Sequence, residues 1–259
     1  MNPLIKKLTR LATAYATAER EVIAAFFAKP RARKDHLRWL KAQGFKEYSA
    51  IKPILDALTA LHPKIDKGIA RSDFAELTEK LADETKHARL VLDLVQEISG
   101  KKTTPRDLDW LPEDRKLAKV RAKYSKSYAA LLHGSAKVTS REIKRTDEDL
   151  ERAAITLTEG GGGALYLVCS KLKKNGIEGR IAGVFHEILL DEVEHKESGA
   201  RALGEQINND ADCRRAAEII SAVCGQRLRM RNEQFGFPFN QTQLSELNRR
   251  AQTALHRRR

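Results

Sequence analysis

The sequence predicts an all-α protein: a four-helix bundle with a long crossover and extra amino- and carboxy-terminal helices. Three observations predict it. Apolar positions recur at alternating steps of three and four residues in four long runs, the spacing of helices packed along a seam. Gly and Pro are few, 15 and 7 in 259 residues, and strand-like alternation of Val, Ile and Thr is scarce. Each of the four runs also puts a carboxylate at a seam position, where burial demands a compensating partner.

The first run, residues 3–28, carries Leu4, Leu8, Leu11, Tyr15, Val22 and Phe26 near one face and is closed by Pro30. It reads as an extra core helix, with an oligomer contact, as in a homodimer, as the alternative. Residues 34–62 carry the first seam: Leu37, Leu40, Gly44, Glu47, Ile51, Ile54, Leu58 and Leu61. Glu47 lies in it, Asp56 does not, and Pro53 is expected to kink the helix. Residues 72–99 carry Leu77, Leu81, Glu84, Ala88, Val91, Val95 and Ile98, with His87 beside the seam, Ser72 as the expected N-cap and Gly100 beyond the end.

Residues 101–145 form a long connection with thirteen Lys or Arg against five acids, a local balance of +8. Leu117–Leu132 within it reads as helical, and Lys119, Arg121, Lys123, Tyr124, Lys126 and Tyr128 offer either a polyanion-binding face or a solvated one. Residues 147–174 contain Ile155, Glu159, Gly162, Tyr166 and Cys169, and are expected to end at Lys173-Lys174-Asn175-Gly176. Residues 180–206 contain Ile181, Phe185, Ile188, Glu192, His195, Gly199 and Ala202. Residues 211–259 read as a peripheral helix near Cys213–Phe235, a Phe-Gly-Phe-Pro break and a final helix with a basic tail. The expected organisation is thus an amino-terminal helix over 1–33, a bundle over 34–206 and carboxy-terminal helices over 207–259.

The apolar stretch Ala153–Ser170 holds one charge, Glu159, followed directly by Gly160–Gly163. It reads as a phosphate-cradling loop or as a buried helix with an inward carboxylate. The loop reading lacks a Walker lysine, and Leu165 stands where a third glycine of GxGxxG belongs. The helix reading absorbs four glycines at up to about 1 kcal/mol each relative to alanine.

Composition bounds the function. The formal charge of +13 attracts nucleic acid, anionic lipid or acidic substrates, or serves solubility alone. Cys169, Cys213 and Cys224 show no CxxC spacing and read as reduced thiols of a cytoplasmic protein. No uninterrupted apolar run is long enough to span a membrane, and no signal-peptide core is present.

The seam carboxylates form a constellation. Glu84 and Glu192 each have a histidine three residues on, His87 and His195, and i and i+3 share one helix face. Two ExxH pairs alternating with two lone glutamates, Glu47 and Glu159, are the ligand set of a di-metal site in a four-helix bundle. The midpoint between Glu47 and Glu84/His87 falls near residue 66, and that between Glu159 and Glu192/His195 near residue 176, both in expected turns, so each hairpin brings its ligands level.

The order Glu … DExxH … Glu … DExxH, with Asp83 and Asp191 before the two pairs, resembles the ferritin-like di-iron carboxylate superfamily, in pattern its oxygen-activating branch. The resemblance covers about residues 34–206. It implies that Glu84 and Glu192 bridge two metals, that Glu47 with His87 completes one and that Glu159 with His195 completes the other. It also implies that Asp83 accepts a hydrogen bond from His195 and Asp191 from His87. The catalytic and metal residues are then the same six: Glu47, Glu84, His87, Glu159, Glu192 and His195.

The implied cofactor is two Fe, with Mn/Fe or Mn as alternatives, and O2 is the co-substrate. The expected function is an oxidoreductase that oxidises or hydroxylates an organic substrate, small molecule or tRNA, with an electron-donor protein as partner. A ferroxidase or iron-handling protein and a tRNA-modifying hydroxylase are the alternatives. A radical-generating ribonucleotide reductase subunit is disfavoured, since Val91 stands where its tyrosine is expected. Tyr48 and Tyr166 read as core aromatics.

Overall fold

The computed structural model describes residues 2–68, 71–124, 148–159, 162–173 and 175–255, with backbone alone at 148, 149, 159, 162, 193–199 and 202. Among the described residues every regular element is helical: α1 (Pro3–Phe27), α2 (Arg33–Ile65), α3 (Arg71–Ser99), a 3-10 turn (Pro105–Asp107), α4 (Pro112–Ala122), α5 (Glu148–Glu159), α6 (Gly162–Cys169), α7 (Gly176–Gln206), α8 (Asp210–Gln234) and α9 (Gln241–Thr253). They fall into two compact units, residues 32–110 and residues 1–31 with 111–259. The helices expected to build the bundle divide between them, α2 and α3 in one and α5, α6 and α7 in the other.

The smaller unit is a helical hairpin. Leu40, Gly44, Glu47 and Ile54 of α2 are buried, as are His87, Ala88, Val91, Val95 and Ile98 of α3, so the predicted seams face inward here. Gly44 lies against Val91 while Glu47 lies against Glu84 and His87, so residue numbers rise along α2 as they fall along α3. A Cβ on Gly44 would sit 3.0 Å from Leu108 and 3.3 Å from Val91, so the bare backbone admits the returning segment. That segment is held by the Asp109 amide donating to the Lys41 carbonyl and by Trp110 stacked on Phe45 at 5.2 Å.

Three details of this hairpin differ from expectation. α2 runs past its expected end at residue 62, through Pro63, to Ile65. α3 begins at Arg71, which puts Ser72 inside the helix, its hydroxyl on Asp73. Tyr48 is exposed rather than a core aromatic, because it follows Glu47 on α2 and points off the seam. Gly100 does close α3, with φ +69°.

The larger unit is built around α8. This helix packs against α1, α4, α5 and α9, and its buried residues run from Cys213 to Gln234. The expectation of a peripheral helix over Cys213–Phe235 is corrected. Its apolar residues Ala216, Ile219, Ile220, Val223 and Leu228 meet Leu8, Leu11, Val22 and others of α1 in shared clusters. Its polar residues are buried through hydrogen bonds, which hides the helix's depth from a hydrophobicity reading. The Glu113 amide at the start of α4 donates to Glu233 at 2.7 Å, and Arg215 donates to Glu151 at 2.6 Å. Gly225 admits Asn248 of α9, which accepts from the Tyr15 hydroxyl at 2.9 Å.

The predicted element over 147–174 is helical over Glu148–Glu159 and Gly162–Cys169, with Gly160 and Gly161 outside the described residues. α6 ends at Cys169, four residues before the expected basic turn, because the amides of Lys171 and Leu172 bond three residues back. Tyr166 is a core aromatic as expected, its ring 5.9 Å from Phe185. α4 ends at Ala122, and the rest of the helix expected to Leu132, with Lys126 and Tyr128, lies outside the described residues, as does the terminal Arg257–Arg259.

Candidate metal site

Glu47 sits mid-helix on α2, where the three-four seam turns it toward α3. Glu84 and His87 sit three apart on α3 and therefore share a face. The antiparallel hairpin brings the three together: one ligand atom from each lies within 4.8 Å of the others. Glu47 and His87 are buried and Glu84 is half-buried. An ion with bonds of about 2.1 Å spans ligand atoms up to about 4.2 Å apart, so small rotamer shifts suffice to close the site.

The donor set fits a metal. Two carboxylates and one imidazole make an oxygen-rich, mixed site suited to Fe(II) or Mn(II). Two carboxylates this close repel each other in a poorly solvated place, and a divalent cation offsets that repulsion.

Gln43 belongs to the site and was absent from the predicted residues. Its Nε2 donates to Glu47 Oε1 at 2.6 Å in a buried hydrogen bond. The signal was present, since Gln43 precedes Glu47 by four residues on the same helix face. The amide occupies one carboxylate oxygen and orients the other. Asp56, passed over on spacing, is exposed and paired with Lys52 at 2.7 Å.

The other three predicted ligands belong to the larger unit. Glu159 closes α5, and its side chain lies outside the described residues. Glu192 is half-buried on α7, and His195 lies one turn on, its side chain also outside the described residues. Asp83 and Asp191, the expected acceptors for the histidines, are half-buried on α3 and α7. Among the described residues Glu47, Glu84 and His87 are the one group of three such side chains close enough to share an ion.

Buried polar chemistry also surrounds the end of α5. Arg227 of α8 donates through Nη1 to the Thr158 carbonyl and through Nη2 to the Thr158 hydroxyl at 2.9 Å. Glu19 of α1 lies 4.0 Å from Arg227 and 3.5 Å from Arg231, all three almost fully buried. The thiols of Cys169, Cys213 and Cys224 are buried and free, and burial pushes all three up in pKa, Cys224 to about 12.

Comparison of the chain with known protein families, with curated proteins and with solved structures gives no match.

Proposed function

We propose that this chain is a ferritin-like di-metal protein, with iron the favoured metal, that uses O2 to oxidise or hydroxylate an organic substrate. The convergence of Glu47, Glu84 and His87 within one helical hairpin carries the reading. The recurrence of the same pattern in Glu159, Glu192 and His195 supports a second metal. Substrate and electron donor follow from the resemblance alone.

The roles of the chain's own groups are these. Glu47, Glu84 and His87 would together hold one ion. Gln43 fixes the Glu47 carboxylate and lowers the reorganisation needed to bind. The buried flanks Leu40, two turns before Glu47 on α2, and Val91, one turn after His87 on α3, keep bulk water from that side of the ligands. By the resemblance, Glu159, Glu192 and His195 would supply the ligands of the second ion. The bound metal pair would supply the electrons and the open coordination positions for O2 reduction.

Elemental analysis of the full chain, reconstituted anaerobically with Fe(II), tests this beside Glu47→Ala and Glu159→Ala variants. About two Fe or Mn per chain, reduced in each variant, is the expected result. One metal per chain that survives Glu159→Ala and disappears in Glu47→Ala would leave a mononuclear hairpin site and remove the paired centre. No metal at all would overturn the reading. A polyanionic substrate such as tRNA is the second reading, favoured by the +13 charge, and competition of substrate turnover by RNA separates the two.

A further inference from the structure

A cavity of about 410 Å³ opens in the larger unit where α4, α8 and α9 meet. Phe239 and Leu244 line its apolar side, and Glu113, Arg229 and Gln241 its polar side. Phe237 stands on the rim with its ring 57% exposed and its backbone at φ +59°. A bulky residue in the left-handed region is strained, and an exposed phenyl ring forgoes its own burial. The conformation is nonetheless pinned. The Phe237 amide donates to the Asn232 carbonyl at 2.7 Å, and the Asn232 side chain bonds both the amide and the carbonyl of Phe239 at 3.0 and 2.9 Å.

The polar groups around the cavity divide into engaged and open. Asn232 is spent on Phe239. Glu113 accepts from Lys116 and Gln226. Burial pushes its carboxyl up, but those hydrogen bonds and the charges of Lys116 and Arg229 outweigh burial and hold it ionised. Arg229 is exposed, and no hydrogen bond to a described residue engages its guanidinium. The groups left accessible at the cavity are therefore the Phe237 ring, the exposed Arg229 guanidinium beside Glu113 and the positive end of α9, capped at Asn240.

The geometry points to a nucleotide site in which a base stacks on Phe237 and its phosphate meets Arg229 and the first turn of α9. A ligand flat and apolar on its face and anionic at one end matches both features. The cavity has the size of a small-ligand site, and the +13 charge draws polyanions to the chain. The nucleotide comes free or as part of a single strand. The site uses no predicted metal ligand and stands or falls separately from the metal reading.

Fluorescence anisotropy of a labelled ten-residue oligouridylate with the full chain tests it, with UMP and AMP as competitors. Phe237→Gly removes the ring and suits the backbone conformation, and Phe237→Asn does the same with a side chain tolerant of positive φ. Both are expected to weaken binding about tenfold or more without lowering the thermal midpoint. Arg229→Gln is expected to weaken it more than Arg249→Gln, which removes an equal charge from a guanidinium paired with Glu246. Displacement of the strand by UMP or AMP assigns the site to free nucleotides. Phe237-dependent binding that resists them assigns it to strands. Absence of binding by any of these probes, or a Phe237→Gly protein that binds like the wild type, overturns the proposal.

Discussion

Single side chains decide whether the hairpin can hold an ion. Gln43 holds one oxygen of Glu47 at 2.6 Å, and supports of this kind typically tune affinity by about 10–100-fold. Gln43→Leu is accordingly expected to weaken Fe(II) or Mn(II) binding within that range, read by calorimetric titration, with an unchanged thermal midpoint of the metal-free chain. An unchanged affinity would make Gln43 a packing residue. Arg227 belongs to the same scale. Its removal takes the guanidinium donor from the Thr158 carbonyl and leaves the fully buried Glu19 carboxylate to Arg231 alone. Breaking a buried pair from one side costs about 3–5 kcal/mol. Arg227→Met should therefore lose stability toward the lower end of that range in urea, because Arg231 still faces Glu19, and the loss in Glu19→Met/Arg227→Met should differ from the sum of the two single losses. Additive losses in the double variant would show that Glu19 and Arg227 do not interact.

At the scale of elements, α8 carries the main lesson. Its composition reads as half polar, yet Arg227, Arg231, Asn232, Glu233 and Gln234 are all buried. They are buried because each reaches an acceptor or donor on a neighbouring helix, on its own last turn or in the connection to α9, and a single-sequence reading cannot see those partners. α8 starts at Asp210, three residues before the expected Cys213. Asn209 caps it, its side chain accepting from Ala211 and Asp212 amides at 2.8 and 3.0 Å. Asn209→Ala is expected to cost about 1 kcal/mol. Because α8 is central to the larger unit, that loss should appear in the global urea transition, and a loss confined to local amide exchange would contradict the central role.

For the molecule as a whole, the buried acids govern behaviour at high pH. Burial pushes Tyr15 up to about 12, and its Cys224 neighbour pushes the same way. The Cys169, Cys213 and Cys224 thiols move up with it, all by burial first. These groups stay neutral in the folded state while their unfolded counterparts ionise. Their contribution is complete below the unfolded thiol value near 9 and is lost as pH rises toward the folded values, near 12 for Cys224. Each fully buried thiol can contribute a slope of at most about 1.4 kcal/mol per pH unit. The urea midpoint should hold from pH 7 to 8 and fall between pH 9 and 10.5, less steeply in Cys224→Ala. A flat profile would mean that these groups titrate alike in both states.

The helical class and the inward seams of α2 and α3 were legible in the sequence, because a three-four repeat and a terminal glycine act within one or two turns. The sequence also determined that Glu47 stands level with Glu84 and His87, because a hairpin sets the height of its residues by their distance from the turn. The buried character of Tyr166 and the exposure of Asp56 follow from the same local rule. Tertiary contacts alone make α8 the centre of its unit and pack α1 against it. They alone hold Phe237 out at a strained turn through Asn232. These outcomes rest on which distant groups a residue meets, and burial of a polar side chain is favourable or costly according to that partner.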